Sequence, residues 1–187
     1  MIRKLLASVA VVAGLGSFAA LGVYSAFSNT TTNDNNRIQA GTVVIGDNDA
    51  NAALYSITSG AKPGDYQEHC IKVTYSGSLP ANVKVYRSTV GALGPYVQVK
   101  VYKGTGNAFD CTGFTDTNGG TPIIDTTLNS FGTNWAGGTQ LTNASGSNTW
   151  SQNDAVTYRI RGTLNDDNSA QGLDTNLHTF TWEAQNT

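Results

Sequence analysis

Few side chains in this sequence could carry chemistry, and their spacing limits which chemistry is open to them. The chain holds two histidines, His69 and His178. A hydrolytic zinc site of the H-E-x-x-H type needs two His one helical turn apart, with the Glu between them activating water. Here Glu68 and His69 are neighbours at the start of an alternating segment, so on a strand their side chains point to opposite faces. His178 opens another alternating segment on the side of Phe180 and reads as a partly buried packing residue. No G-x-S-x-G nucleophile elbow is present. A Cys–His nucleophile would need Cys70 or Cys111 to stay reduced. Asp47-Asn48-Asp49 and Asn165-Asp166-Asp167-Asn168 offer oxygen ligands, but neither fits the calcium loop with its closing bidentate Glu. Both read better as Asx-rich turns. Asn29-Thr-Thr31 and Asn143-Ala-Ser145 fit the glycan-acceptor pattern and carry little weight by themselves. The expectation is no catalytic residue, no metal and no cofactor.

The cysteines point to a compartment. Cys70 and Cys111 are the only two in the chain, and an even count in an exported protein suggests one disulfide. The alternative is two unpaired thiols. The start of the chain supports export. Met1–Lys4 is short and positive, and Leu5–Leu21 is apolar apart from Ser8 and Ser17. Val23-Tyr24-Ser25 then places small residues before a cleavage point between Ser25 and Ala26. This reading makes residues 1–25 a signal peptide helix. A retained membrane anchor is the alternative, at the lower limit of spanning length and without a basic stop-transfer cluster.

Composition removes several classes of partner. Only 13% of the 187 residues are charged and the net charge is −2, falling to −4 once Arg3 and Lys4 leave with the signal segment. A surface that replaces phosphate counterions must be basic, as must one that holds an anionic membrane. Nucleic acid and, after cleavage, membrane are therefore not expected partners. With 39% hydrophobic residues placed periodically, the chain can bury a core. The 21 glycines and single methionine point to strands and turns, not helices.

The elements that must position these residues read as strands. Ile71, Val73 and Tyr75 alternate with Lys72 and Thr74. Val97, Val99 and Val101, then Val156, Tyr158 and Ile160, then Phe180, Trp182 and Ala184 repeat the pattern, and Val83 and Val85 flank Lys84. One buried and one wet face per strand predicts an all-β fold, an antiparallel β-sandwich. Weaker strands are expected at Arg37–Ile45 and Ala53–Ile57. Cys70 falls on the polar face of its strand, so its bridge would clip the 104–112 loop to the outside of a sheet. Residues 104–152 are rich in Gly, Thr, Asn and Ser. They predict one or two short strands, a helical turn near Thr127–Phe131, and core filling by the scattered aromatics in preference to a stacked sugar platform.

Three stretches together resemble the TasA/camelysin family of exported bacterial proteins. The first is Ala26-Phe27-Ser28-Asn29 followed by Ile38-Gln-Ala-Gly-Thr-Val-Val-Ile45. The second is Lys62-Pro-Gly-Asp65 leading into the Cys70–Tyr75 strand and Ser76-Gly-Ser-Leu-Pro-Ala81. The third is Asn168-Ser-Ala-Gln-Gly172 leading to Thr179-Phe-Thr-Trp-Glu-Ala184. The resemblance implies a jelly-roll sandwich, removal of the leader by a dedicated signal peptidase, and assembly into fibres of a biofilm matrix. Subunits of such fibres join by donor-strand exchange, each N-terminal segment adding a strand to the next copy. Residues 26–37 are the candidate donor, with Ala26, Phe27, Ser28 and Asn29 as assembly residues, and 38–187 form the β-sandwich domain. The implied partner is the chain itself, as a homopolymer, and the implied location is secreted, extracellular or at the cell surface. A monomeric adhesion or carbohydrate-binding sandwich is the competing reading. A camelysin-like secreted metalloprotease is a third, which the histidine spacing opposes.

Overall fold

In the computed structural model the described residues are 37, 39–50, 52–57 and 60–187. The signal segment 1–25, the cleavage pair Ser25 and Ala26, and the assembly residues Ala26, Phe27, Ser28 and Asn29 lie outside them. The described regular structure is ten strands with three single 3-10 turns. The strands are β1 (Ile45–Gly46), β2 (Tyr66–Tyr75), β3 (Ala81–Arg87), β4 (Val97–Thr105), β5 (Thr115–Asp116), β6 (Ile124–Thr127), β7 (Thr139–Leu141), β8 (Thr149–Trp150), β9 (Ala155–Leu164) and β10 (Phe180–Asn186). No described helix is long and apolar enough to cross a membrane.

Every strand pairing among the described residues is antiparallel. One sheet runs β1-β2-β9-β4-β5, with β6 also paired to β4; the other runs β10-β3-β7, with β8 also paired to β3. The alternating residues set this register. Ile71 sits opposite Tyr158 and Val73 opposite Val156, while Val101 faces Ile160 across β4 and β9. Their side chains form one core with Ala81, Val83 and Val85 of the second sheet. Each fully buried aliphatic or aromatic side chain contributes about 1.5–3 kcal/mol. The 104–152 region helps close this core: Trp150 is fully buried and Phe131 nearly so, and the expected helical turn is present at Leu128–Ser130. The region also holds four short strands, β5 to β8, where one or two were expected. Two to four residues each leave no alternation to read.

Two expected strands are corrected. Of the described residues of Arg37–Ile45 only Ile45 enters a strand, because its partner β2 ends at Tyr75 and the chain turns away through Ser76–Pro80. The preceding residues follow that turn irregularly, Val44 O accepting from Ser76 N–H and Thr42 O from Leu79 N–H. Ala53–Ile57 forms no strand at all. Its backbone groups find side chains instead: Leu54 O meets His69 Nδ1 at 2.7 Å, and Ser56 N–H donates to Gln67 Oε1. Leu54 still reaches the core at 8% exposure, which explains why the segment is apolar without being a strand.

Cys70 and Cys111 form a disulfide, with Cα atoms 4.9 Å apart. Such a bridge indicates an oxidising, non-cytoplasmic environment. Closing a loop of 41 residues contributes about 4 kcal/mol in the chain-entropy model. Cys70 has the outward parity the sequence predicts, yet it is buried, because the loop after β4 lies over it. Thr157 donates its hydroxyl to Gly106 O at 2.7 Å, and Phe109 O accepts from Cys70 N–H at 2.8 Å. Gly104 permits this return: a Cβ there would collide with the Thr115 carbonyl oxygen.

Candidate functional site

The residues that suggested metal chemistry are held apart by strand parity and by partners of their own. Glu68 faces outward and accepts from Arg161 Nε–H at 2.7 Å. His69 faces the other way and stacks on Phe109, ring centroids 4.5 Å apart. His178 is half-buried and meets the Tyr55 hydroxyl at 2.7 Å through Nε2, beside Phe180. Among the described residues no group of three or more His, Cys, Asp or Glu could hold a metal ion.

The Asx clusters build turns and cover an edge. Asn48 donates to Asn107 O at 2.8 Å and accepts from Lys72 N–H at 2.7 Å. It thereby stands in for a missing strand along β2. Asp167 accepts from Ser169 N–H and caps the 3-10 turn Asn168–Ala170. Asn143 is buried with its amide bonded on both sides, so its acceptor motif is closed to a glycan. The outer face of the first sheet carries Arg159 over the rings of Tyr102 and Phe114, and Arg161 over Tyr66.

One edge of the second sheet is different. β10 pairs with β3 in continuous register from Phe180 opposite Arg87 to Asn186 opposite Ala81. Among the described residues no strand pairs with its other side. The inner residues of β3 are buried almost completely, whereas Phe180, Trp182 and Ala184 on β10 are only partly covered. A small apolar gap beside them is lined by Val85, Phe131, Phe180 and Trp182 among others. A long edge strand with apolar side chains and free backbone groups is a template for another strand.

β10 is tied to its neighbour by a polar pair as well as by the ladder. Tyr86 on β3 donates its hydroxyl to Glu183 Oε2 at 2.7 Å, and Gln185 Nε2 donates to Oε1. The Tyr86 bond, then the Gln185 bond, hold the Glu183 carboxyl below its ordinary range. Because the folded value is depressed, this contribution is present above the unfolded carboxylate range and is lost as pH falls through the folded value. Acidification should therefore loosen β10, and Glu183→Gln should flatten that dependence. Amide exchange of Phe180–Asn186 against pH checks both. A profile unchanged by the substitution would contradict it.

Protein-family models give no match to the chain, and no curated protein matches it. The alternation of Phe180, Trp182 and Ala184 predicts a strand, but a period of two does not distinguish an open edge from a strand paired on both sides.

Proposed function

We propose that this protein is the secreted structural subunit of an extracellular fibre, of the kind found in a biofilm matrix, and performs no catalysis. In this reading residues 1–25 are a signal peptide helix removed by a signal peptidase between Ser25 and Ala26. The strands connect as a jelly roll. Residues 26–37, freed by cleavage, add to the next copy by donor-strand exchange. The single observation that carries the reading is the edge of β10, whose far side has no strand beside it among the described residues and whose Phe180 and Trp182 are incompletely covered. An extended peptide laid along such an edge gains ladder hydrogen bonds and places alternate side chains against the exposed apolar face. Because the donor of one copy meets the acceptor of another without closing, the product is a filament.

Electron microscopy of the purified protein, with its N-terminus sequenced, tests the reading. Fibres built from chains that begin at Ala26 are expected. Uniform monomers across a broad range of concentration would overturn it and favour the monomeric adhesion module.

A further inference from the structure

The inner face of β4 ends in a lysine instead of an aliphatic residue. Lys103 shares the parity of Val97, Val99 and Val101, and it stands opposite Tyr158 of β9. Tyr158 is 1% exposed, so the amine lies beside the core. None of the ion pairs among the described residues involves it. It crosses to the other sheet and donates to Thr142 Oγ1 at 3.0 Å and to the backbone oxygen of Asn143 at 2.5 Å. Burial lowers the ammonium pKa, which favours the neutral, nucleophilic amine.

The side chain of Asn143 is held as an acyl group would be held for attack. Asn143 is 7% exposed. Its Oδ1 accepts from the Ser147 backbone N–H at 2.9 Å and from the Ser145 hydroxyl at 2.8 Å. These two donors converge where negative charge develops when an amide carbonyl is attacked. Its Nδ2 donates to Asp154 Oδ2 at 3.0 Å and to Thr149 O at 3.3 Å. A carboxylate thus sits on the nitrogen that would leave.

We infer that Lys103 and Asn143 are the two ends of an intramolecular isopeptide bond, formed with Asp154 as proton carrier. Nζ of the neutral lysine attacks Cγ of Asn143, and the oxygen of the tetrahedral intermediate is stabilised by Ser145 and Ser147. Asp154 accepts the proton released by Nζ and returns it to Nδ2. The Cγ–Nδ2 bond then breaks and ammonia departs. One amide replaces another, Asp154 ends as it began, and no oxidant or cofactor enters. Nζ already holds the backbone oxygen of the same residue, and the attack requires it to exchange that contact for Cγ by a change of lysine rotamer. The bond would tie the end of β4 in one sheet to the segment between β7 and β8 in the other. It does not depend on the fibre reading.

Mass spectrometry of the reduced, trypsin-digested mature protein tests this. The expected result is a branched peptide joining Lys103 to Asn143, lighter than its two components by one ammonia, with no cleavage after Lys103. Lys103→Arg should restore the full mass. Asp154→Ala should slow cross-linking about 100-fold. Linear peptides of full mass, with trypsin cutting after Lys103 and Asn143 intact, would overturn the inference whatever the variants do.

Discussion

A chain beginning at Ile38 should fold, remain monomeric and form no fibres. Every core strand among the described residues lies beyond that point, and Ala40–Thr187 forms one compact unit, so far-ultraviolet circular dichroism should keep its β signature. What disappears is the donor. Phe27 is the one large apolar side chain among residues 26–37, and burying it in a neighbour contributes about 1.5–3 kcal/mol. Ladder hydrogen bonds along the seven-residue β10 edge add about 1 kcal/mol each. Removing these at every subunit contact compounds along a filament, so the loss of polymer is expected to be complete. Phe27→Asp should weaken assembly severely while leaving the dichroism unchanged. Normal fibres from the chain starting at Ile38 would redirect the account toward lateral packing of sheets.

Trp150→Ala should be among the most damaging substitutions for stability. Trp150, opposite Ala81 of β3 in the same sheet, is fully buried, and its indole N–H donates to Leu141 O at 3.1 Å. Truncation removes the largest fully buried side chain among the described residues and leaves that carbonyl with the Gln140 side-chain amide as its remaining donor. Phe and Trp to Ala changes in cores cost about 3–5 kcal/mol, against a total of roughly 5–15 kcal/mol for a typical domain. Urea denaturation, with the slope held constant, checks the value. A loss under about 1 kcal/mol would mean that the segment around β8 closes over the space. Arg87 is a polar counterpart. It is 4% exposed and donates to the backbone oxygens of Leu128, Asn129 and Ser88, fixing the 3-10 turn of the 104–152 region to β3.

The long strands were legible because their inner residues are Val, Ile and Tyr at a period of two, as in Val97–Val101 and Val156–Ile160. The short strands were not. Thr139–Leu141 and Thr149–Trp150 take their conformation from pairing with β3, between residues far apart in the chain. Leu54 misled in the opposite sense, since its apolar neighbourhood serves the core through side-chain bonds and no ladder. Cys70 was placed on the correct face of β2, but its burial depends on a loop whose path local sequence does not specify. The relation of Lys103 to Asn143 was likewise invisible. Lys103 lies on β4 and Asn143 in the turn between β7 and β8, and only the register of β4 and the path of that turn bring them together.

The central claim is that the open side of β10 accepts the N-terminal segment of another copy. It is tested most directly by adding a synthetic peptide of residues 26–37 to the chain that begins at Ile38 and following amide exchange residue by residue. The account predicts new protection at alternate amides of Phe180–Asn186, saturating at one peptide per chain and lost when the peptide carries Phe27→Asp. Binding that protects another segment, or no protection of β10 at saturating peptide, would contradict it.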